Sequence, residues 1–273
     1  MSLISVVIPT RNRYALLDRA VKSVLIQTFS DFEILIVDDA SSDETHNIIE
    51  KNKDERIRYI PLKKKSGGSK ARNIGIENSK GEYVAFLDDD DEWLPEKLKK
   101  QVECFNTNTQ IGICYTGRRI MRKGKITGLS KRYSFRYPPY EDHFRSIMSD
   151  NFIGVTSSVV IPRSVLIELK GFDENLPCLQ DYDLFIRILK KLKACGVNEP
   201  LVRYYLGGNT EHVSFTRKNV EFASKYLIDK YKNDEFIALL KKAINKINMK
   251  KMVKSFGYAR DVIQYSVSGK SKK

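Results

Sequence analysis

The N-terminal part of this chain alternates short apolar runs with segments of helical period, and that alternation restricts it to a layered α/β architecture. Leu3 to Ile8, Phe32 to Val37, Ile57 to Ile60 and Tyr83 to Leu87 read as strands. Between them, Leu16, Leu17, Ala20, Val21, Val24 and Leu25 recur at helical spacing, and a second helix starts at about Asp43. Gly67-Gly68 opens a third helix that carries Ala71, Ile74 and Ile76 and stops before Gly81. Strands separated by helices imply a mostly parallel sheet. Ligands of such sheets sit at the carboxyl ends of the strands, where this sequence has Thr10, Asp39 and Asp88 to Asp91.

Beyond Pro95 the pattern is looser. A helix runs through Leu98 and Val102, Ile111 to Tyr115 reads as a strand, and a basic stretch from Arg118 to Arg136 has little apolar periodicity. Phe152 to Ile161 is strand-like, and a helix beginning near Asp181 carries Leu184 to Leu192. From about Asn219 the chain is helical and lysine-rich, with one apolar face formed by Phe236, Leu239, Leu240, Ile244, Ile247 and Val253.

A chain of 273 residues, 41% hydrophobic, suffices for one large domain with an appendage. A net charge of +14 directs it toward an anionic partner: nucleic acid, an anionic membrane surface or a phosphorylated substrate. Zinc-finger spacing, an RNP pattern and a recognition-helix signature are all missing, so nucleic acid is not the expected partner. The first residues carry no basic n-region or long apolar h-region, and no stretch approaches the ~20 apolar residues of a membrane span. A cytoplasmic location is expected, with peripheral membrane attachment open. Cys104, Cys114, Cys178 and Cys195 are scattered, without C-x-x-C or histidines at zinc spacing, which predicts buried thiols in a reducing compartment.

Four consecutive aspartates cannot all stay ionised at close range without help, because like charges raise one another's pKa. A divalent cation removes the conflict, and carboxylate ligands suit Mg²⁺ or Mn²⁺, which keep waters and bridge to substrate phosphates. The other reading is a solvated loop, with Asp91 or Glu92 capping the helix after Pro95. Asp38-Asp39 end a neighbouring strand on the same edge, and Lys70 and Arg72 stand at a helix start, where phosphate oxygens meet positive side chains and unpaired backbone N–H groups. Together these residues outline a nucleotide-diphosphate cradle.

Several ordered motifs now carry a resemblance. SVVIPTRNRYALLDRAVKSVLIQTFSDFEILIVDDASSDET, then ARNIGI, GEYVAFLDDDDEW and SSVVIPRSVLIELKGFDENLPCLQDYDLFIR resemble the inverting glycosyltransferases of family 2, over about Leu3 to Arg187. The resemblance implies a GT-A fold, a Rossmann-like, mostly parallel central sheet flanked by helices. It implies a catalytic domain over 1–215, with a nucleotide-sugar-binding part (1–115) and an acceptor-binding part (116–215), followed by a helical, lysine-rich C-terminal extension over 216–273. It also implies a nucleotide-sugar donor, UDP by family habit, a glycan or lipid-linked acceptor, and Mn²⁺ or Mg²⁺.

Residue by residue, the resemblance implies that Pro9, Thr10 and Asp39 hold the base, that Arg72 contacts ribose or diphosphate, and that Asp88 and Asp89 belong to the donor side of the D-x-D motif while Asp90 binds the metal. Asp181 would be the base that deprotonates the acceptor hydroxyl, so that attack opposite the leaving nucleotide inverts the configuration. Read alone, Asp181 also suits a helix N-cap. Arg11 stands where many relatives have an aromatic that stacks on the base, and Gln180 stands where glutamate is commoner, beside the acceptor. His212 lies where some relatives place a histidine near the metal. Trp93 either lines the sugar pocket or packs under the loop as core.

The lysines of the tail, Lys241, Lys242, Lys246, Lys250, Lys251 and Lys254, leave two readings: an apolar face on an anionic membrane, or that face packed on the domain with the lysines solvated. The role expected is synthesis of a surface polysaccharide or glycolipid. A nucleotidyltransferase, or a basic nucleic-acid-binding module, is the alternative; the first lacks its glycine-rich, lysine-bearing signature near the opening strand.

Overall fold

The computed structural model describes residues 2–106, 110–122, 124–129, 141–206 and 216–255, with side chains in the last helix as far as 248. Strands β1 (Ile4–Thr10), β2 (Phe32–Asp38), β3 (Ile57–Pro61) and β4 (Tyr83–Phe86) form the parallel half of one sheet, ordered β3-β2-β1-β4. In the first three strands successive residues alternate between two cores. Ile4, Val6 and Ile8 join one apolar cluster, and Val7 joins the other. Both faces are covered, which is why the runs are continuously apolar.

Helices α1 (Tyr14–Leu25), α2 (Ile48–Asn52) and α3 (Gly68–Asn78) connect these strands. Asp43 caps the second connection, accepting from the Thr45 N–H at the start of a 3-10 turn that leads into α2. Helix α3 lies very close to the sheet at Gly75, where a Cβ would come within 2.3 Å of Val7 Cγ1.

The second half of the sheet is mixed. It continues β8 (Val159–Pro162), β6 (Ile111–Arg122), β9 (Lys193–Tyr205), β5 (Glu92–Trp93), with β7 (Lys125–Leu129) paired to β6. Strand β8 runs antiparallel to β4 and β6, while β6 and β9 are parallel. The expected strand over Phe152 to Ile161 is therefore mostly loop. Gly154 adopts φ +106, and the Asn151 side chain accepts from its N–H and donates to its carbonyl, which closes a turn instead of extending the chain. Helices α4 (Lys97–Phe105), α5 (His143–Ser149), α6 (Arg163–Glu168), α7 (Gln180–Leu189), α8 (Arg217–Lys230) and α9 (Ile237–Ser255) complete the layers.

The C-terminal helices settle one alternative. Val220, Ala223, Leu227, Tyr231, Leu240 and Ile244 join the same core cluster as Ile147, Leu184 and Ile188, while Lys241, Lys242 and Lys246 are exposed. The apolar face packs on the domain; Val253 and the later lysines lie outside the described side chains. Among the described residues no helix is long and apolar enough to cross a membrane.

The cysteine expectation is corrected. Cys104 at the end of α4 and Cys195 on β9 form a disulfide, with Cα atoms 6.4 Å apart, while Cys114 and Cys178 are buried outside it. Residues 91 apart in sequence meet because α4 packs across β6 and β9, which spacing along the chain does not reveal.

Candidate active site

Parallel register fixes the site's first two walls. Thr10 stands opposite Asp38, and the Asp39 N–H donates to the Thr10 carbonyl at 2.9 Å, so the ends of β1 and β2 open together. Asp38 is taken up by Ser41 and Tyr59, which both donate to it. Asp39 accepts the Ser66 N–H at 2.5 Å and the Gly67 N–H at 2.9 Å, which ties the loop before α3 to the end of β2. Arg11 donates to the Asp39 carbonyl at 3.4 Å, and Pro9 is half-buried one residue before the strand ends.

Helix α3 contributes two neighbouring side chains with different tasks. Asn73 bonds Phe172 in both directions and Glu174 in one, so it pins the loop before α7 to α3. Arg72 reaches Asp88, with Nη2 2.5 Å from Oδ1, while its Nε is buried without a partner.

The four aspartates separate by environment. Asp88 is the most open, with its side chain 30% exposed. Asp89 is buried and accepts from Thr10 Oγ1 and Arg13 Nη1, both at 2.9 Å. Burial pushes Asp89 up to about 6, against the pull of Arg13 and Thr10. Asp90 is met by Arg13 at 3.3 Å, and its carbonyl accepts from Arg19 at 2.6 Å. Asp91 is fully buried, accepting from Ser157 Oγ at 2.6 Å and the Tyr205 N–H at 3.2 Å. Burial first, then the charges of Asp90 and Asp88, hold Asp91 well above the ordinary carboxylate value. Neither Asp91 nor Glu92 caps α4, which begins after Glu96; Glu92 instead pairs with Arg19 and Arg203.

Asp181 lies inside the first turn of α7, whose cap position is Leu179 at φ 60 with no side-chain cap bond. Its suitability as an N-cap is therefore not realised. The carboxylate accepts the Tyr182 N–H at 2.8 Å. Burial raises its pKa, Arg72 draws it back down, and Asp88 raises it again. Asp181 thus lies within electrostatic reach of the Arg72–Asp88 pair. Next to it, Gln180 Oε1 is buried without a partner.

Trp93 is core. It is 1% exposed, its indole N–H donates to the Ser157 carbonyl at 2.8 Å, and Lys97 lies over its ring. The expectation that it lines a sugar pocket is corrected: a buried indole with a satisfied N–H has no face left for a ligand. His212 lies outside the described residues. The acidic run does not gather three carboxylate oxygens at metal-binding spacing; the one such cluster of metal-ligating side chains among the described residues is made of cysteines.

Sequence reasoning passed over Arg13, Arg19 and Ser157. The two arginines follow β1 and face the aspartates, a signal legible only once β1 and β4 are known to be neighbours. Ser157 lies in the run read as strand, and its hydroxyl joins the Asp88 N–H to the Asp91 carboxyl. A separate hollow of about 480 Å³, lined by Tyr14, Ser42, Asp43, Glu44 and His46, holds none of these residues.

The sequence pattern described as Glycosyl transferase family 2 matches residues 5–170, from β1 through α6. The chain belongs to glycosyltransferase family 2. Among family 2 relatives, TuaG of Bacillus subtilis (strain 168), named as a putative teichuronic acid biosynthesis glycosyltransferase, is 35% identical over 211 residues, 76% of this chain and 81% of its own length. WfaP of Escherichia coli, named as a UDP-Glc:alpha-D-GlcNAc-diphosphoundecaprenol beta-1,3-glucosyltransferase, is 33% identical over 199 residues, 72% of this chain and 75% of its own. The crystal structure of S. aureus TarS 1-349 in complex with UDP-GlcNAc matches with a TM-score of 0.70 and 19% identity, over 98% of this chain and 77% of that chain. The fold of this family 2 glycosyltransferase is GT-A, with the mixed sheet described above. Asp181 lies beyond the matched stretch.

Proposed function

We propose that this glycosyltransferase moves a hexose with inversion from a UDP-sugar to a hydroxyl of a lipid-linked saccharide, during synthesis of a surface polysaccharide or glycolipid, working at the cytoplasmic face of the membrane as a peripheral protein. The observation that carries the reading is the Arg72–Asp88 ion pair, 2.5 Å long, with the half-buried Asp181 at the start of α7 close enough to feel both charges. Support for the donor and acceptor classes comes from the names of WfaP and TuaG and from the UDP-GlcNAc bound to TarS.

In this reading Pro9, Thr10, Arg11 and Asp39 receive the base, Arg72 and Asp88 the ribose and diphosphate, and Gln180 the acceptor. The unpartnered Arg72 Nε and Gln180 Oε1 are the polar atoms that substrate would satisfy. Asp181 takes the proton of the attacking hydroxyl as its oxygen bonds to the anomeric carbon and the nucleotide oxygen departs from the opposite face. Its raised proton affinity suits that task, because a base poised nearer neutrality accepts a proton more readily than an ordinary carboxylate.

By chemistry the acidic run suits a hard divalent ion: its ligands are carboxylate oxygens, which Mg²⁺ and Mn²⁺ accept with substrate phosphates completing the shell, and Arg13, now between Asp89 and Asp90, would have to yield Asp90 to it. Asp90 and, from the donor side, Asp88 would hold such an ion, which when bound neutralises charge on the leaving diphosphate. His212 is the further candidate ligand from the sequence.

The test is a screen of nucleotide sugars with a polyprenyl-diphosphate-linked acceptor, with the released nucleotide and the new anomeric centre identified. UDP and inverted configuration are expected, and Asp181→Asn should keep donor affinity while losing about 10²–10⁴-fold in kcat. Pyrophosphate release would point to nucleotidyl transfer. Normal turnover by Asp181→Asn would remove the base assignment.

A further inference from the structure

Three cysteines from three elements meet in the fold. Cys104 ends α4, and Cys114 on β6 is the register partner of Cys195 on β9. Their sulfurs all lie within 4.8 Å of one another. One side of α4 faces them with Lys97, Gln101 and Cys104, spaced by four and three residues, so the three share one face of the helix.

Lys97 is the unexplained member. Its side chain is fully buried, and its ammonium bonds the neutral Gln101 Oε1 at 2.6 Å and lies 3.9 Å from the centre of the Trp93 ring. Neither partner is an anion, and a buried cation without one is costly. The titratable group that acts on it is the Cys114 thiol. The glycosyl-transfer chemistry uses neither group.

We propose that Cys104, Cys114 and Cys195 form a thiolate site for a thiophilic divalent cation of the Zn²⁺ class, open when the Cys104–Cys195 disulfide is reduced and closed when it is formed. Charge balance favours a divalent ion: three thiolates, one divalent cation and the Lys97 ammonium sum to zero in a buried place. Thiolates select soft or borderline metals over the Mg²⁺ and Mn²⁺ suited to the aspartates. Zn–S bonds of about 2.3 Å need the three sulfurs within about 4.6 Å of one another, and with two of them joined in the disulfide all three already lie within 4.8 Å. Cys195 is half-buried, which leaves a route for the ion and for a reductant.

The chemistry balances in two steps. A dithiol reductant gives two protons and two electrons to the Cys104–Cys195 bond, leaving two protein thiols and an oxidised, disulfide-bonded reductant. The ion then binds three sulfurs and releases three protons. Occupied, the site would fasten α4 to β6 and β9. Through Lys97 over Trp93, and Trp93 on the Ser157 carbonyl, it would brace the base of the acidic loop.

The test uses the full chain, reduced with a phosphine, freed of reductant and titrated with Cd²⁺ while the ultraviolet thiolate-to-cadmium band and proton release are followed; Zn²⁺ is then competed against a chromophoric chelator. One Cd²⁺ and three protons per chain are expected for the reduced protein, and none for the disulfide form. Cys195→Ser, at a half-buried position, should lose the band, as should Cys114→Ser. Lys97→Met should weaken binding by about 10- to 100-fold, as loss of an outer-shell partner does. A reduced chain whose band equals that of Cys195→Ser, a Cys114→Ser variant that binds like the wild type, or equal uptake by the disulfide form would each overturn the proposal. None of these readouts depends on glycosyl transfer, so their failure leaves the proposed activity intact.

Discussion

Lys230, on a C-terminal helix, places its ammonium 2.8 Å from the buried carboxylate of Asp183, two residues after Asp181. The same ammonium bonds Asp173 at 2.7 Å, the Tyr231 hydroxyl donates to Asp183 at 2.8 Å, and Arg187 holds the other Asp183 oxygen at 2.8 Å. The first turn of α7 is thereby gripped from α8, and the helix that presents the proposed base depends on the chain's C-terminal part.

Lys230→Met removes one of two cationic partners from a carboxylate that has no exposed surface. The loss should be about 1–3 kcal/mol of stability, since Arg187 and Tyr231 still satisfy Asp183. Urea unfolding measures it, and Lys230→Arg should recover part of the loss. A change within error for Lys230→Met would mean that Arg187, Tyr231 and packing hold α7 without the ammonium.

The pH profile of kcat/KM carries a second expectation. Asp181 must be deprotonated to act, and burial raises its pKa, so activity should fall on the acid side with a midpoint above the ordinary carboxylate range. Arg72 lowers that pKa and Asp88 raises it, so Arg72→Met should move the midpoint up and Asp88→Asn should move it down. For stability the sign is the reverse of a salt-bridged aspartate's. The folded state holds this proton more tightly, so the contribution is full below the unfolded pKa and is lost as pH rises through the folded one. A midpoint at or below 3.8 would contradict the assignment.

Ser157→Ala strips the acceptor from the Asp88 N–H and the donor from the Asp91 carboxyl in one change. Two buried groups lose a partner, which predicts about 2–4 kcal/mol of destabilisation at about 1–3 kcal/mol per unsatisfied group, discounted for relaxation. Donor affinity should weaken as the Asp88 backbone shifts. Calorimetric titration with UDP alongside thermal unfolding separates the two effects, and unchanged values in both would show that this hydroxyl holds nothing in place.

Gly75→Ala tests how Arg72 is aimed. The new methyl would overlap Val7 Cγ1, so α3 must move off β1 or Val7 must leave its rotamer. A cost of about 1–3 kcal/mol is expected, with a larger loss in donor affinity than a distant core change of equal cost would cause. Paired measurements on Gly75→Ala and on Ile244→Val, in the C-terminal helix, make that comparison.

The sequence made the parallel half of the sheet readable because β1, β2 and β4 are buried on both faces and so are apolar without interruption. It hid β9, whose residues Lys193 to Tyr205 include glycine, asparagine and proline and bury only Leu201 and Val202. That strand follows β6 through two register shifts near Gly117, so neither alternation nor a continuous apolar run marks it. The roles proposed for Thr10, Asp39, Arg72, Asp88 and Asp181 come from motif order, and the fold brings Thr10, Arg72 and the aspartates of the run into contact. The burial of Trp93 was not legible, because it depends on Ser157 and Lys97, which come from other stretches of chain. Arg13, which pairs with Asp89 and Asp90, and Arg19, which bonds the Asp90 carbonyl, escaped for a related reason: their partners are more than 70 residues away.

Because β1 is laddered to β2 on one side and β4 on the other, Thr10, Asp39 and Asp88 have no independent positions. A slip of one residue in either ladder would carry an aspartate about 3.3 Å along the sheet and turn the strand's apolar residues inside out. The spacing of the polar groups is thus quantised by the pleat. Evolution of a new donor preference in this scaffold has side chains and loops to vary, but not the pitch on which they are mounted.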